Sequence, residues 1–167
     1  MIGADLNVQG RQGVVEALRK LEQRFKEGSQ QVLVGVPEGA GQYEDGQNFA
    51  TIAAVNNFGS ADGRIPERNF MQSAINENQA VYKRLAQFEL PKVGQGILTM
   101  DRLLNVLGVL AVGHIQEKIA DGPFVANADS TKQAKGSDTP LIDTGSMRQS
   151  IGYVLPEAGD KVTEGLS

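Results

Sequence analysis

The sequence predicts an α+β fold: a small antiparallel or mixed sheet packed by two long helices and shorter helices. Three observations point there. First, 167 residues that are 40% hydrophobic suffice for one core and are short for two. Second, apolar residues recur at helical spacing along most of the chain, in two places over long stretches. Third, two short β-rich runs bounded by Gly and Pro lie far apart, at residues 30–36 and 150–155. Residues 1–155 are expected to form a single domain, with 122–139 as a flexible loop and 156–167 as a polar tail.

Taken in order, "ADLNVQ" at residues 4–9 is a candidate partner strand for residues 30–36, which would give a β-α-β order. "VVEALRKLEQRFKEG" then places Val14, Leu18, Leu21 and Phe25 on one face and charges on the other. It predicts an amphipathic helix stopped by Gly28. "QQVLVGV" is β-branched and closed by Pro37, and predicts a strand. Residues 37–47 contain Gly, Pro and no apolar period, and predict a solvated loop.

"NFATIAAVNNFG" has Phe49, Ile52 and Ala53 at helical spacing, with Gly59 as the stop. Pro66 is placed in the first turn of the next helix, which is expected to run to about residue 88 and to bury Phe70, Met71, Ala74, Ile75, Tyr82, Leu85 and Ala86. "LPKVGQG" is expected to interrupt it. A second long helix spans about 99–120, apolar over more than one face between Leu103 and Val112. Such a helix is either central to the core or shared with another subunit. Residues 125–139 are small and polar, followed by a short helical turn "SMRQS" and the strand "SIGYVL". No internal repeat and no heptad run is present.

Composition narrows the function. The chain has no Cys, so disulfides and Cys-based metal sites are excluded. Its formal charge of −4, from 16 basic and 20 acidic residues, argues against tight phosphate binding. It suits a surface past which nucleic acid slides. The start of the chain lacks a basic region followed by an apolar run, and the longest apolar region, at 103–115, is shorter than the roughly 20 residues of a membrane span. A soluble protein without membrane partners is expected.

The triplet Asp143-Thr144-Gly145 is the one that carries the carboxylate of aspartic proteases. That chemistry needs two carboxylates sharing a proton, which a single triplet supplies only in a homodimer. The surroundings are helical, and few residues follow the triplet. The alternative is mechanical: Asp143 or Thr144 caps "SMRQS", and Gly145 supplies a positive φ. His114, the sole histidine, falls beside the Leu107–Leu110–Ala111 stripe and is expected at the edge of the core or facing the helix C-terminus. The 37–47 loop lacks a Lys followed by Ser or Thr and is acidic, so it does not cradle phosphate. Glu44 and Asp45 are adjacent rather than alternating, a poor calcium pattern. No catalytic, cofactor or metal residues are assigned.

Three stretches together carry a resemblance. "AAVNNFGSADGRIPERNFMQSAI" resembles A-x-x-x-E-F-G followed by I-P-x-R-P-F-L; a polar loop with spaced Thr and Lys follows; "PLIDTGSMRQSI" resembles P-L-I-D-T-G-x-L-x-x-S-I. In this order they resemble the virion morphogenesis and tail-completion proteins of tailed bacteriophages. Asn57 stands where that pattern often has Glu, and Asn69 where it often has Pro. The resemblance implies a non-enzymatic neck subunit, assembled in the host cytoplasm into a ring, expected to be hexameric. The ring would join the head connector (portal or adaptor) to the tail tube or terminator, with DNA passing through its lumen unbound. A tail terminator or another minor tail protein is the alternative. On this reading Asn57, Phe58 and Gly59 end a helix, with Phe58 anchoring the exit. Ile65 and Pro66 lead into the next helix, Phe70 plugs the core, and Arg68 pairs with an acidic group in its own or an adjacent subunit. Asp143, Thr144 and Gly145 set the last turn before the C-terminal strand.

Overall fold

The computed structural model describes residues 8–37, 39–122, 124 and 145–156. Among them are six helices and a two-stranded antiparallel sheet, an α+β arrangement. The helices are α1 (Val8–Lys26), α2 (Phe49–Phe58), α3 (Phe70–Glu77), α4 (Gln79–Gln95), α5 (Met100–Asp121) and α6 (Ser146–Gln149). The strands are β1 (Leu33–Gly35) and β2 (Gly152–Val154), paired Leu33 to Val154, Val34 to Tyr153 and Gly35 to Gly152. The two runs expected to be strands thus pair with each other.

The expected N-terminal strand is corrected at Val8 and Gln9, which already belong to α1; residues 4–7 lie outside the described residues. Gly28 follows α1 with φ +79, as a helix-terminating glycine does. Ser29 N donates to Asp101 Oδ1 at 2.7 Å, tying the exit of α1 to the first turn of α5.

The core is built on α5. Its Ile115 and Ile119 join Ala53 of α2, Phe70 and Ala74 of α3, Met147 of α6 and Ile151 in one buried cluster, with Val34 and Val36 packed against it. Phe70 is fully buried, as expected. Gly108 of α5 lies under the ring of Tyr153, where any added Cβ would overlap it. Tyr153 then reaches Asn105 Oδ1 with its hydroxyl at 2.9 Å. β2 can therefore lie directly on α5. By length and composition α5 matches a membrane span, yet its Leu104, Gly108, Ala111, Ile115 and Ile119 form one buried stripe. Val106 and Val109 face out.

Two helix boundaries differ from expectation. The expected single helix up to residue 88 is broken at Asn78, whose Nδ2 donates to Ala74 O at 2.9 Å and whose backbone leaves the helical region at φ −103, ψ 9. An asparagine offers the chain a local alternative to the next helical turn. Conversely, "LPKVGQG" does not interrupt α4. Pro91 sits inside it at an exposed position, and Gln87, whose carbonyl it leaves without a helical donor, is exposed too. α4 ends only at Gly96, in the left-handed region.

Residues 39–47 are the mostly exposed loop expected, tied by bonds of its own. Tyr43 N donates to Gln47 O at 2.9 Å, Gln42 and Asn48 form an isolated bridge, and the Tyr43 ring meets Phe49 edge-on at 4.8 Å. Asn48 Oδ1 then caps α2 by accepting from Ala50 N at 2.8 Å.

Candidate functional site

The first two motif halves, residues 56–59 and 65–70, form a single hydrogen-bonded bracket. α2 stops at Phe58, and Gly59 turns the chain at φ +81. A side chain there would be strained by that φ and would press on Glu67 N and Ile65 O, 3.0 and 3.1 Å from the Cβ position. The intervening turn closes on itself: Ser60 N donates to Ile65 O, Ile65 N donates to Ser60 Oγ, and Ser60 Oγ donates to Asp62 Oδ1 at 2.6 Å. That Ser60 hydroxyl, with the Arg64 N–H, holds the Asp62 carboxyl below its ordinary range.

The returning strand of the bracket is pinned to the end of α2. Arg68 N donates to Asn56 O at 3.1 Å and Asn69 N to Asn57 O at 2.9 Å. Arg68 Nη1 donates to Asn56 Oδ1 at 2.7 Å. Asn57, buried, accepts from Met71 N at 3.0 Å through Oδ1. It thereby caps α3 from fourteen positions away in sequence. The residue in the N-cap position, Asn69, has left-handed backbone at φ +38 and makes no capping bond of its own.

These bonds correct the expected place of Pro66. α3 begins at Phe70, not at Pro66, because Arg68 N and Asn69 N are committed to the Asn56 and Asn57 carbonyls and Asn69 is in the left-handed region, so the helix cannot start before them. They also explain the two departures from the resembled pattern. A proline at 69 could neither donate an N–H to Asn57 O nor adopt φ +38. A glutamate at 57 would bury a carboxylate where an amide now bonds.

Phe58 does not anchor the helix exit: as the last residue of α2 it is 58% exposed. Ile65 is 37% exposed, and Glu67 is exposed beside it. Arg68 is the reverse, buried with its guanidinium on Asn56, and burial pushes its pKa below the ordinary value. Its place favours holding the bracket over meeting a neighbour. Asp143 and Thr144 lie outside the described residues, so their expected capping does too. The N-cap position of α6 is Gly145, with the positive φ expected of it, +79.

His114 is half-buried on α5, and its Nδ1 lies 2.7 Å from the Tyr82 hydroxyl of α4. That contact joins two helices at the edge of the core. Among the described residues no three His, Asp or Glu side chains gather closely enough to hold a metal ion. Sequence reasoning missed Asn56 as the hinge of the bracket; the signal was paired asparagines at a helix end, where side-chain amides compete for free backbone groups. What the bracket can do chemically is present Phe58, Ile65 and Glu67 on a rigid base. Comparison with known protein families, with curated proteins and with solved structures returned no match.

Proposed function

We propose that this protein is a structural subunit of a tailed-bacteriophage virion at the head–tail junction, forming a ring that joins head connector to tail around the DNA channel. The observation that carries the reading is the bracket. Two separated halves of one resembled motif meet as one hydrogen-bonded unit, and that unit spends its buried polar groups on rigidity while exposing Phe58 and Ile65. Rigid exposed apolar residues rimmed by charge are what a subunit offers to other subunits. The net charge of −4 supports a lumen through which phosphates pass without arrest.

The test is removal of the gene from the phage that carries it. Electron microscopy should then show filled heads and free tails that do not join, and mass spectrometry of wild-type particles should find the protein. Joined, infectious particles without it would end this reading. Tails of irregular length beside normal heads would favour the tail-terminator alternative.

A further inference from the structure

We propose that α1 is a conditional helix: anchored at its C-terminal end, it melts and re-forms N-terminal to Leu21 while the rest of the fold stays intact. The first observation is burial. Each of the other five described helices buries at least one side chain. In α1 every residue from 12 to 26 is exposed except Phe25, which is half-buried. Val14, Leu18 and Leu21 form a bare seam, 60%, 59% and 38% exposed. Helical stability in a folded chain comes mostly from packing an apolar face, and an unpacked stretch shorter than about 12–15 residues is marginal in water. Residues 8–20 are such a stretch.

The second observation is that the bonds and contacts holding α1 sit at one end. Leu21 and Phe25 lie against Gly94 of α4, and Arg24 Nη1 donates to Gly94 O at 2.7 Å. Gln30 Nε2 donates to Phe25 O at 2.9 Å, Gly28 closes the helix at φ +79, and Asp101 Oδ1 of α5 holds Ser29 N. Arg24 and Lys26 in the last turn complement the negative pole of the helix, whereas the first turn has no acidic residue to complement the positive one. Gly10 and Gly13 stand in the unsupported half, each weakening a helix about fivefold relative to alanine. Among the described residues that half has one ion pair of its own, the exposed Glu16–Lys20 pair.

Helix formation is cooperative, so the tethered turn supplies the costly nucleus and the helix grows or shrinks from there toward Val8. In the helical state Val14 and Leu18 share a face with Leu21; in the coil they do not. One local equilibrium therefore assembles and disperses an apolar row without unfolding the core. Any contact that used the row would draw the helix out. The inference does not rest on the virion reading, which stands or falls on particles.

The experiment is amide hydrogen exchange of the full chain over a dilution series, followed by mass spectrometry of peptic fragments. In dilute protein, amides of residues 12–20 should exchange within about tenfold of the unstructured rate, and those around Ile115 in α5 far more slowly. Gly13→Ala adds a Cβ with no atom within 4 Å of it, and should slow exchange in 12–20 by up to about fivefold. Phe25→Ala should remove the anchor and bring residues 21–26 to the rate of 12–20. Exchange in α5 should be unchanged in both variants. Protection of 12–20 that appears only as concentration rises would support the proposal, because contact then orders the row. Protection of 12–20 by more than about tenfold at every dilution would overturn it. So would a Gly13→Ala chain that exchanges there as wild type does, or a Phe25→Ala chain in which residues 21–26 stay protected.

Discussion

The bracket at the end of α2 and the N-terminal half of α1 use the same kinds of residue to opposite ends. In the bracket, Asn56, Asn57 and Arg68 are buried or half-buried, and their polar atoms bond to one another's chain segments. In α1, apolar side chains stand in solvent on a helix whose ion pairs are local and exposed. In the first region the polar groups are satisfied within one chain while Phe58 stays exposed; in the second a whole row of apolar side chains does. Internal satisfaction marks a part that holds shape, and surplus apolar surface marks a part that meets something else.

If the bracket holds shape, breaking it must cost folding, and its core plug should cost most. Phe70→Ala should lose about 3–5 kcal/mol of unfolding free energy in urea titration, since Phe70 is fully buried among α3, α5 and α6. Next comes Asn69. Asn69→Pro should cost about 3 kcal/mol or more, for the lost N–H to Asn57 O and the unreachable φ. Asn69→Gly should instead be neutral or stabilising by up to about 1 kcal/mol, because glycine adopts φ +38 freely. A proline tolerated at 69 would mean that the bracket is not bonded as described. Arg68→Ala follows, at about 2 kcal/mol for a buried charged hydrogen bond to Asn56. That loss should appear in the monomer, before any assembly is assayed.

Much of this was legible in the sequence, for reasons that are themselves physical. α5 and both strands follow from apolar periodicity and β-branched runs closed by Gly or Pro, which are local signals. Phe70 as core plug was legible because a large aromatic at the start of an apolar helical stripe has few other places to go. The place of Pro66 was not, because proline suits both a first helical turn and an extended strand. The choice was made by Asn56 and Asn57, whose carbonyls take the N–H groups of Arg68 and Asn69 just beyond it. The exposure of Phe58 was hidden for another reason: it depends on whether any other element folds back over the end of α2, which no local signal tells. The break at Asn78 and the continuation through Pro91 show that breakers act by context, and that solvent exposure decides whether a lost helical bond matters.

Between the two regions stands the Tyr82–His114 contact, which joins α4 to α5. Tyr82→Phe should cost about 1 kcal/mol at neutral pH. Burial raises the Tyr82 pKa in the folded chain, so the folded protein keeps the phenolic proton to higher pH than the unfolded chain, which releases it near 10. The stability Tyr82 contributes is therefore intact below about pH 10 and declines as pH rises through the folded value. The gap between wild type and Tyr82→Phe should shrink across that window, while ionisations common to both chains cancel. A gap that widens would reverse the assignment.

The smallest effect is the one that separates the two regions most cleanly. Val14→Asp with Leu18→Glu should change the unfolding free energy of dilute, monomeric protein by no more than about 0.5 kcal/mol per site, because neither side chain loses buried contacts. Leu21, Phe25 and Arg24 remain to hold the helix on α4. Phe70→Ala, by contrast, removes a core side chain, so substitutions in the two regions should part company in unfolding free energy. If the α1 changes destabilise the monomer as much as a core substitution does, the bare seam is covered within its own chain, and the contrast between a finished region and a surplus one disappears.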